Sequence, residues 1–429
     1  SAIGFLMEYS GLGFIEAVED LAGQIGLQVP QQRPDERRQK AAEAAPLTEF
    51  MARAAKYYRE QLKASPKAID YLKGRGLSGE IAARFGLGYA PDGWQSLAAA
   101  CPDYQNKALV ECGLVIEGEA GKRYDRFRDR IMFPILDQRG NVIGFGGRVI
   151  GQGEPKYLNS PETPLFEKGR ELYGLLQARS AIRDEDCVIV VEGYMDVVAL
   201  AQHGIGNAVA TLGTATTPTH VHKLLRQADR VIFCFDGDNA GRKAAARALD
   251  ASLEQVADNK TVAFLFLPPE DDPDSYVRAH GADAFRKLGR QAMPLTDFLM
   301  QELRAGKDLA TAEGRSQLVH AAKPLLGRLQ APLLRLQLVK LLAQASGFSQ
   351  AEIESLCGLP AVVRRAVPAR SPRGAPSPIA RKLLRLIVQQ PGLAARLSAD
   401  LIPDGHAETE TLAALITAVT EGGLSGEGL

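Results

Sequence analysis

The sequence has few cysteines, no long apolar run and no net charge, and each absence excludes a class of protein. The five cysteines are scattered without a CxxC pair, so we expect free thiols and a reducing, cytoplasmic location rather than a disulfide framework. No run of about 18 apolar residues is present, so no membrane-spanning helix is predicted. Because 51 basic side chains balance 51 acidic ones, any affinity for a polyanion must come from a local basic surface.

The length and the hydrophobic pattern predict an α/β protein of several domains. A chain of 429 residues with 45% hydrophobic residues is long enough for two to four globular domains. From residue 186 onward, the strand-like runs CVIVV, NAVATLG, RVIFCF and TVAFLFLP alternate with helical segments. This alternation is typical of a mainly parallel, Rossmann-like sheet. Upstream, IMFPILD and NVIGFGGRVI predict strands joined by a turn, and the leucine-rich chain after Pro294 predicts a helical bundle.

Acidic residues follow three of the predicted strands. Glu192 comes after CVIVV, Asp236 and Asp238 come after VIFCF, and Asp272 and Asp274 come shortly after TVAFLFLP. In open parallel sheets, ligands bind at the carboxyl ends of the strands. If the three strands are neighbours, we expect these carboxylates to converge on one edge of the sheet.

Converging carboxylates of this kind predict a site for divalent cations. Asp196 lies four residues after Glu192, so in the first turn of a helix it would face the same way. Like charges this close do not all stay ionised without cations, and their oxygen ligands suit two or more Mg²⁺ or Mn²⁺ ions. The alternative is local: Asp238 caps the next helix, and Asp272 and Asp274 are turn residues beside Pro273.

The same strings carry a family resemblance. VVEGYMDVVAL resembles the Glu-Gly-x-x-Asp motif of Toprim domains, and CFDGDNAGRKAA resembles their Asp-x-Asp motif. YDRFRDRIMFPILDQRGNVIGFGGRVI, PKYLNSPETPLFEKGRELYGL and LPPEDDPDSYVRAHG resemble the catalytic core of bacterial replicative DNA primases of the DnaG type. The resemblance implies an N-terminal mixed α/β basic subdomain, a central Toprim domain and a C-terminal helical bundle.

The resemblance also implies an activity and its residues. The expected enzyme is a nucleotidyltransferase of DNA replication and the primosome, which makes short RNA primers on single-stranded DNA from ribonucleoside triphosphates. Glu192 matches the family's catalytic acid and would also bind metal, with Asp196 supporting it. The remaining metal ligands by motif match are Asp236, Asp238, Asp272 and Asp274.

Basic residues upstream of the predicted acidic site match family positions that face nucleic acid or triphosphate. Residues 121–170 contain ten Lys or Arg and six Asp or Glu, a local balance of +4. Arg148, Lys156 and Lys168 are the main candidates, and Arg75 and Arg128 are further ones. Aromatic residues interleave with this basic run and are expected to pack inward, and three histidines are interpreted as surface residues: Tyr124 and Phe127, and His203, His220 and His222.

The resemblance sets expected domain boundaries. Residues 1–36 would be the helical tail of a preceding zinc-binding domain plus a linker, so zinc is expected only upstream of this chain. The other expected segments are the N-terminal subdomain 37–184, the Toprim domain 185–270, the helical subdomain 271–358, a Pro/Arg-rich linker 359–378, and the truncated start of a helicase-binding domain 379–429. Expected partners are the replicative helicase and single-stranded-DNA-binding protein, with no membrane contact and a monomeric core.

Two other functions remain open at this point. A Toprim-type nuclease would use the same acids, because a two-metal site can activate water instead of a hydroxyl. A non-catalytic docking module for a helicase would explain the leucine-rich C-terminal half but not the acidic strand ends. A topoisomerase would need a nucleophilic tyrosine in a separate DNA-cleaving domain, and no such tyrosine is recognisable.

Overall fold

In the computed structural model, the described residues are 2, 18, 20–22, 34–118, 121–359, 379–397 and 407–421. They belong to two compact units, Ser1–Leu359 and Pro360–Leu429. Most of the predicted tail 1–36 and all but the first residue of the predicted linker 359–378 lie outside the described residues.

The first part of unit one is a mixed α/β subdomain, as predicted. Its strands β1, β4, β5 and β6 form an antiparallel sheet in that order, and β2 pairs with β3 in a separate hairpin. The strands are β1 Gly88–Ala90, β2 Val115–Glu117, β3 Arg123–Asp125, β4 Arg130–Leu136, β5 Val142–Val149 and β6 Tyr157–Asn159, and the helices are α1 Pro34–Ala64, α2 Pro66–Gly74, α3 Gly79–Arg84 and α4 Lys107–Glu111, with a 3-10 turn at Ser96–Ala99.

Local sequence accounts for much of this subdomain. Ser65 and Ser78 accept backbone N–H groups at the starts of α2 and α3, as N-cap residues do. The predicted turn between β4 and β5 is present, because the Asp137 carboxylate accepts the backbone N–H groups of Arg139 and Asn141, each at 2.8 Å. The apolar β4 and β5 strands are therefore joined by a turn that their own sequence encodes.

The central sheet has the strand order β11-β10-β9-β7-β8. Strands β8, β7, β9 and β10 run parallel, and only the short β11 is antiparallel, which confirms the mainly parallel α/β prediction. The strands are β7 Cys187–Val191, β8 Ala208–Ala210, β9 Arg230–Phe235, β10 Thr261–Phe266 and β11 Met293–Pro294, and the helices among them are α5 Leu175–Glu185, α6 Tyr194–Gln202, α7 Pro218–Leu225, α8 Asn239–Ser252 and α9 Pro273–Arg290.

Helices complete unit one and make up the described part of unit two. In unit one, buried leucines such as Leu318, Leu338 and Leu342 join these helices to the core of the parallel sheet. In unit two, Ile387 and Leu412 are fully buried against each other's helices. The unit-one helices are α10 Leu295–Arg304, α11 Ala312–Arg328, α12 Pro332–Ser346 and α13 Gln350–Cys357, and those of unit two are α14 Ile379–Gln389 and α15 Ala407–Glu421.

Stacked aromatic rings join the antiparallel sheet to the parallel one. The ring of Phe133 on β4 stacks on that of Tyr194 on α6, with centroids 5.6 Å apart and 18° between planes, and Tyr173 meets Tyr194 edge-on at 5.0 Å. Tyr194 crosses β5 at Gly146, where an added Cβ would lie 2.6 Å from the tyrosine ring. A glycine is therefore required at this crossing, and one apolar core spans both sheets.

All five cysteines are free thiols, as predicted from their spacing.

Within the part of the chain that the structure describes, no helix combines the length and apolar character needed to cross a membrane.

Two glycine-to-alanine substitutions should change stability in opposite directions. Gly146→Ala would push Cβ into the Tyr194 ring, which a hydrogen bond to Asn159 also restrains, and we expect a loss of about 1–3 kcal/mol. Gly327→Ala lies in α11, where an added Cβ meets nothing within 4 Å, so removing glycine flexibility should add about 0.4–1 kcal/mol. Thermal unfolding followed by circular dichroism measures both, and a similar shift in both variants would contradict the crossing described here.

Candidate active site

Six carboxylates lie along one edge of the parallel sheet, and we call them the acidic rim: Glu192, Asp196, Asp236, Asp238, Asp272 and Asp274. The three strands that precede them, β7, β9 and β10, are adjacent in the sheet. Register places Val190 beside Phe233 and Phe235 beside Phe266, so the strands end at the same level. The charges of these acids also raise one another's pKa values, which shows that the sheet brings them together.

Glycines let the backbone approach closely at this edge. A Cβ on Gly237 would lie 2.8 Å from the backbone of Pro268 and Pro269, so the turn after β9 packs directly on the chain that leaves β10. A Cβ on Gly193 would lie 2.5 Å from Oδ2 of Asp196. A larger residue at Gly237 would force the ends of β9 and β10 apart, and one at Gly193 would displace the Asp196 side chain.

Two acids of the rim also cap helices. Asp238 Oδ1 accepts the backbone N–H of Gly241 at 2.7 Å, and Asp272 Oδ1 accepts that of Ser275 at 2.6 Å. The local alternative for Asp238, a helix cap, is thus part of the structure, whereas Asp272, which that alternative made a turn residue, caps α9. Each cap uses one oxygen, so Oδ2 of each carboxylate is left for another ligand among the contacts of the described residues.

Burial and mutual repulsion raise the pKa values of several rim acids. Burial raises the pKa of Asp196 to about 8, with further contributions from the charges of Asp272 and Asp236. Partial burial and the neighbouring Asp236 raise the pKa of Glu192, and burial and Asp272 raise that of Asp236. The rim therefore disfavours full ionisation when no cation is bound.

Asp274 differs from the other acids because two arginines face it. Its side chain is only 3% exposed, with Oδ1 2.9 Å from Nε of Arg278 and Oδ2 3.6 Å from Nη1 of Arg75. Burial still raises the pKa of Asp274, although Arg278 and Arg75 oppose the rise. Arg75, predicted as a candidate for template contact, is thus engaged with the rim and links α2 to the parallel sheet.

The donor set of the rim fits hard divalent cations, although it does not form a closed cage. Among the described residues, no three His, Cys, Asp or Glu side chains are arranged to hold a metal ion on their own. The carboxylate oxygens are nevertheless the ligands that Mg²⁺ and Mn²⁺ prefer. Burial, and in second place the neighbouring carboxylates, raises the pKa values of Glu192 and Asp196, and a bound cation would favour their ionised forms. The residues therefore fit cations that keep water or substrate oxygens in their coordination shell.

Arg148 and aromatic rings lie beside the acidic rim. Arg148 is 7% exposed, donates a hydrogen bond to the Tyr157 hydroxyl, and has its guanidinium 5.0 Å from that ring's centroid and 6.0 Å from that of Tyr71. The charge of Asp196 contributes to the pKa of Tyr157, which burial raises to about 12. Arg148 and Tyr157 thus belong to the same neighbourhood as the acids.

The two predicted lysines lie on segments held by backbone contacts. Lys156 is exposed, and its backbone carbonyl accepts the Val149 N–H at 3.1 Å. Lys168 is half-buried, and its backbone N–H donates to the Glu162 carboxylate at 3.2 Å. Neither side chain has an ion pair among the described contacts, and only Lys156 is exposed.

The prediction that His220 is a surface residue is wrong. It is fully buried: Nδ1 accepts the Thr217 N–H at 3.2 Å, and Nε2 lies 3.0 Å from the Lys168 carbonyl oxygen. Because Nδ1 accepts, the proton sits on Nε2 and donates to that carbonyl. Thr217 also donates to the Gly169 carbonyl at 2.6 Å. The start of α7 therefore holds the backbone that carries Lys168; His203 and His222 are exposed, as predicted.

Arg128 and its aromatic neighbours form a separate group. Phe127 is 1% exposed and packs inward, as predicted. Tyr124 is only half-buried, and its ring and that of Trp94 lie 5.3 Å and 4.0 Å from the Arg128 guanidinium. Arg128 is therefore stacked on aromatic rings rather than paired with an acid.

Sequence reasoning missed the polar residues that join the two sheets at this site. The Tyr194 hydroxyl donates to Asn159 Oδ1 at 2.6 Å, and Asn159 Nδ2 donates to the Leu212 carbonyl at 3.0 Å. Asn159 and Tyr157 lie in the string PKYLNS, beside the predicted Lys156. For His220 the available signal was its position three residues after Thr217, the spacing of a capping box.

Comparisons with known proteins agree with this architecture. Residues 57–179 match the family model of the DNA primase catalytic core, N-terminal domain, residues 186–264 match that of the Toprim domain, and residues 296–351 match that of the DnaB-helicase binding domain of primase. The parallel sheet with its acidic strand ends is thus a Toprim domain.

Similarity to whole proteins and to solved structures identifies the class of protein more closely. The chain is 50% identical over 364 residues to a DNA primase of Neisseria meningitidis, covering 83% of this chain and 62% of that protein. It is 53% identical to a DNA primase domain structure from Pseudomonas aeruginosa (TM-score 0.70; 73% of this chain, 100% of that one). It is 44% identical to a DnaG primase catalytic domain solved bound to single-stranded DNA (TM-score 0.69; 73% and 99%).

The chain belongs to the DNA primase family of the DnaG type. It spans about six-tenths of the length of the first curated relatives that it matches. Toprim domains and primases generally use divalent metal ions.

Replacing His220 should loosen the segment that carries Lys168. We expect His220→Ala to speed amide hydrogen exchange across residues 166–171, because the contact of His220 with the Lys168 carbonyl is lost and the nearby bond from Thr217 to the Gly169 carbonyl is weakened. His222→Ala is the matched control, since that histidine is exposed on the same helix. Equal exchange in the two variants, measured by mass spectrometry, would show that His220 does not hold this segment.

The same histidine predicts a pH dependence of stability. Burial lowers the pKa of His220, so the unfolded chain binds its proton more readily than the folded one. The stability that neutral His220 contributes is present above the ordinary histidine pKa of about 6.5 and is lost as the pH falls below it. We expect the difference in thermal midpoint between wild type and His220→Ala to shrink from about pH 8 to about pH 5.5; a constant difference would contradict this.

Proposed function

We propose that this chain carries the RNA polymerase core of a DNA primase, which makes short RNA primers on single-stranded DNA from ribonucleoside triphosphates. The observation that carries the proposal is the acidic rim on three adjacent strands of a Toprim domain, beside the basic Arg148 neighbourhood. Family membership and the single-stranded DNA in a related catalytic domain support it.

The reaction joins a primer 3′-hydroxyl to the α-phosphorus of an incoming ribonucleoside triphosphate. A new P–O bond forms, the bond to pyrophosphate breaks, and the hydroxyl proton leaves. Glu192 is the proposed acceptor of that proton, because its raised pKa makes it a better base than an ordinary glutamate. Asp196 is proposed to support Glu192 from the first turn of α6.

The remaining rim acids are proposed as the metal ligands. Asp236, Asp238, Asp272 and Asp274, with Glu192, would hold two or more Mg²⁺ or Mn²⁺ ions, which supply Lewis acidity and neutralise developing charge when bound. Oδ2 of Asp238 and of Asp272 is free for this because the helix caps use Oδ1. Zinc is proposed only for a domain upstream of this chain.

Basic residues are proposed to bind the phosphates. Arg148 is restrained by Tyr157 and Tyr71, so it offers a preorganised fork for a triphosphate. Lys156 and Lys168 are proposed to face the triphosphate or the template backbone. Arg75 is proposed to support the site through Asp274, and Arg128 to contact nucleic acid outside it.

The partners proposed for this chain are those expected for its family. The match of residues 296–351 to a helicase-binding model supports contact with the replicative helicase through helices α10 to α13, and residues 379–429 are proposed as the start of a further helicase-binding domain. Single-stranded-DNA-binding protein is a further proposed partner. The core is proposed to act as a monomer in the cytoplasm.

Charge removal at the rim should abolish primer synthesis without unfolding the chain. Glu192→Gln removes the proposed base, and Asp238→Asn removes a metal ligand while keeping the helix cap, since asparagine caps equally well. We expect each to lower primer synthesis at least about a hundredfold, and Asp238→Asn also to weaken Mn²⁺ binding followed by its electron paramagnetic resonance signal.

The matched control for Asp238→Asn is Thr311→Ala. It deletes the cap of α11, where Thr311 Oγ1 accepts the Gly314 N–H at 3.0 Å, and should cost about 1 kcal/mol of stability with normal primer synthesis. Wild-type rates in both rim variants would overturn the assignment of the site.

A metal-dependent nuclease is the second candidate, because the same rim can activate water. End-labelled single-stranded DNA incubated with Mn²⁺ and ribonucleotides should yield new RNA chains whose synthesis depends on the nucleotides, while the labelled strand keeps its length. Shortening of the labelled strand, lost in Glu192→Gln, would instead establish the nuclease.

A further inference from the structure

A cavity of about 420 Å³ lies between the end of α1, helix α2 and helix α3, and we call it the α2 cavity. Leu62 of α1, Leu72 of α2 and Leu77, in the turn before α3, are among its lining residues. Its volume is within the range of small-molecule sites, about 300–1,000 Å³. None of the lining residues belongs to the acidic rim, so the cavity is separate from the proposed active site.

The α2 cavity has an apolar lining that belongs to the protein core. Four of its leucines are buried and are part of the core that spans both sheets: Leu62, Leu72, Leu77 and Leu87. Ile69 and Ala82, which are half-buried, complete this apolar surface. Water beside such a surface finds few hydrogen-bond partners, so an apolar group that displaces it gains free energy.

Three basic side chains also line the α2 cavity. They are Arg59, Lys63 and Lys73, and all three are exposed. None of them has an ion pair among the contacts of the described residues; the cations on and beside α2 that do are Lys67, with Asp129, and Arg75, with Asp274. The charges at the cavity are therefore left for another partner.

The charge at the α2 cavity has one sign. Within the described part of the chain, its lining contains no Asp or Glu. The acids of the same three helices, Glu60, Asp70 and Glu80, are exposed and are not among the lining residues. A ligand complementary to this cavity therefore has an apolar body and a negatively charged head group.

Helix α2 separates this cavity from the proposed active site. Tyr71 lies 6.0 Å from the Arg148 guanidinium, and Arg75, which caps the helix, lies 3.6 Å from Asp274. At about 100° per residue, Tyr71 and Arg75 lie on the side of the helix opposite to its cavity-lining residues. A ligand in the cavity would therefore restrain a helix whose other side contacts the acidic rim.

We propose that the α2 cavity binds a small amphiphilic anion, an aliphatic carboxylate whose chain contacts the leucines and whose head group lies near Arg59, Lys63 and Lys73. Three helices around one volume form the kind of concave site that takes a small molecule. A partner helix would instead need a groove long enough for anchors at i, i+3 or i+4 and i+7. The proposal goes beyond the proposed function and does not rest on it.

Isothermal titration calorimetry of the wild-type chain with octanoate tests the proposal. Octan-1-ol and octyltrimethylammonium carry the same chain with a neutral and a positive head group. We expect octanoate to bind at one site and at least about tenfold more tightly than octyltrimethylammonium, because three unpaired cations favour the anion.

Hydrogen exchange measured by mass spectrometry locates the bound anion. Octanoate should slow amide exchange in α2 and α3 of the wild-type chain and leave α14 unchanged as an internal reference. Ala83 is an exposed lining residue, so Ala83→Phe should fill the cavity from its surface and abolish both the binding and the slower exchange.

Removing charge tests the role of the head group. Lys63→Gln with Lys73→Gln should weaken octanoate binding about tenfold and leave octan-1-ol binding unchanged. The matched control is Lys56→Gln with Lys323→Gln, which removes the same charge from two exposed lysines outside the cavity lining and should bind octanoate like wild type.

Three results would overturn the proposal: no saturable binding of octanoate, equal binding of octanoate and octyltrimethylammonium, or unchanged octanoate binding after both lysines of the cavity are replaced. A twelve-residue acidic peptide with a central phenylalanine is a further ligand in the same titration. If the peptide binds and octanoate does not, the cavity docks a protein segment and the proposal is wrong.

Discussion

The structure depends on holding like charges together at one edge of a sheet. The order β10-β9-β7 places the ends of three acid-bearing strands side by side. Burial, and after it mutual repulsion, raises the pKa values of Glu192, Asp196 and Asp236 above their ordinary range. Backbone hydrogen bonds between the strands and close glycine contacts resist that repulsion. A cation bound among these carboxylates would reduce the repulsion between them.

The N-terminal mixed α/β subdomain packs against the parallel sheet beside this edge. Tyr194 passes across Gly146 and stacks on Phe133, so the antiparallel sheet has little freedom to move away from α6. Arg75 reaches Asp274 from the same side. This rigid junction holds Arg148 beside the acids, although Arg148 comes from a different sheet. The contacts that restrain Arg148 are aromatic rather than ionic.

Hydrogen bonds to the backbone hold the segments at the margin of the site. Buried His220 and half-buried Thr217 hold the backbone around Lys168 from α7, and buried Asp125 holds the turn that carries Trp94. In both cases a buried polar group satisfies backbone donors or acceptors within a few residues of Lys168 or Trp94. Such supports restrict the segments on which a nucleic acid would lie.

The local sequence determined the strands, the helix starts and the acids that follow β7, β9 and β10, because these depend on hydrophobic period and capping within a few residues. It also carried the motifs by which the family was recognised. Only the tertiary structure decided that the three strands are neighbours, that Arg75 faces Asp274 and that His220 is buried. Trp94 and Arg128 are likewise 34 positions apart in the sequence, and their stacking follows from the β2–β3 hairpin and the turn that Asp125 anchors. Contacts of this kind join residues remote along the chain, and local propensity contains no information about which of them the packed core will bring together.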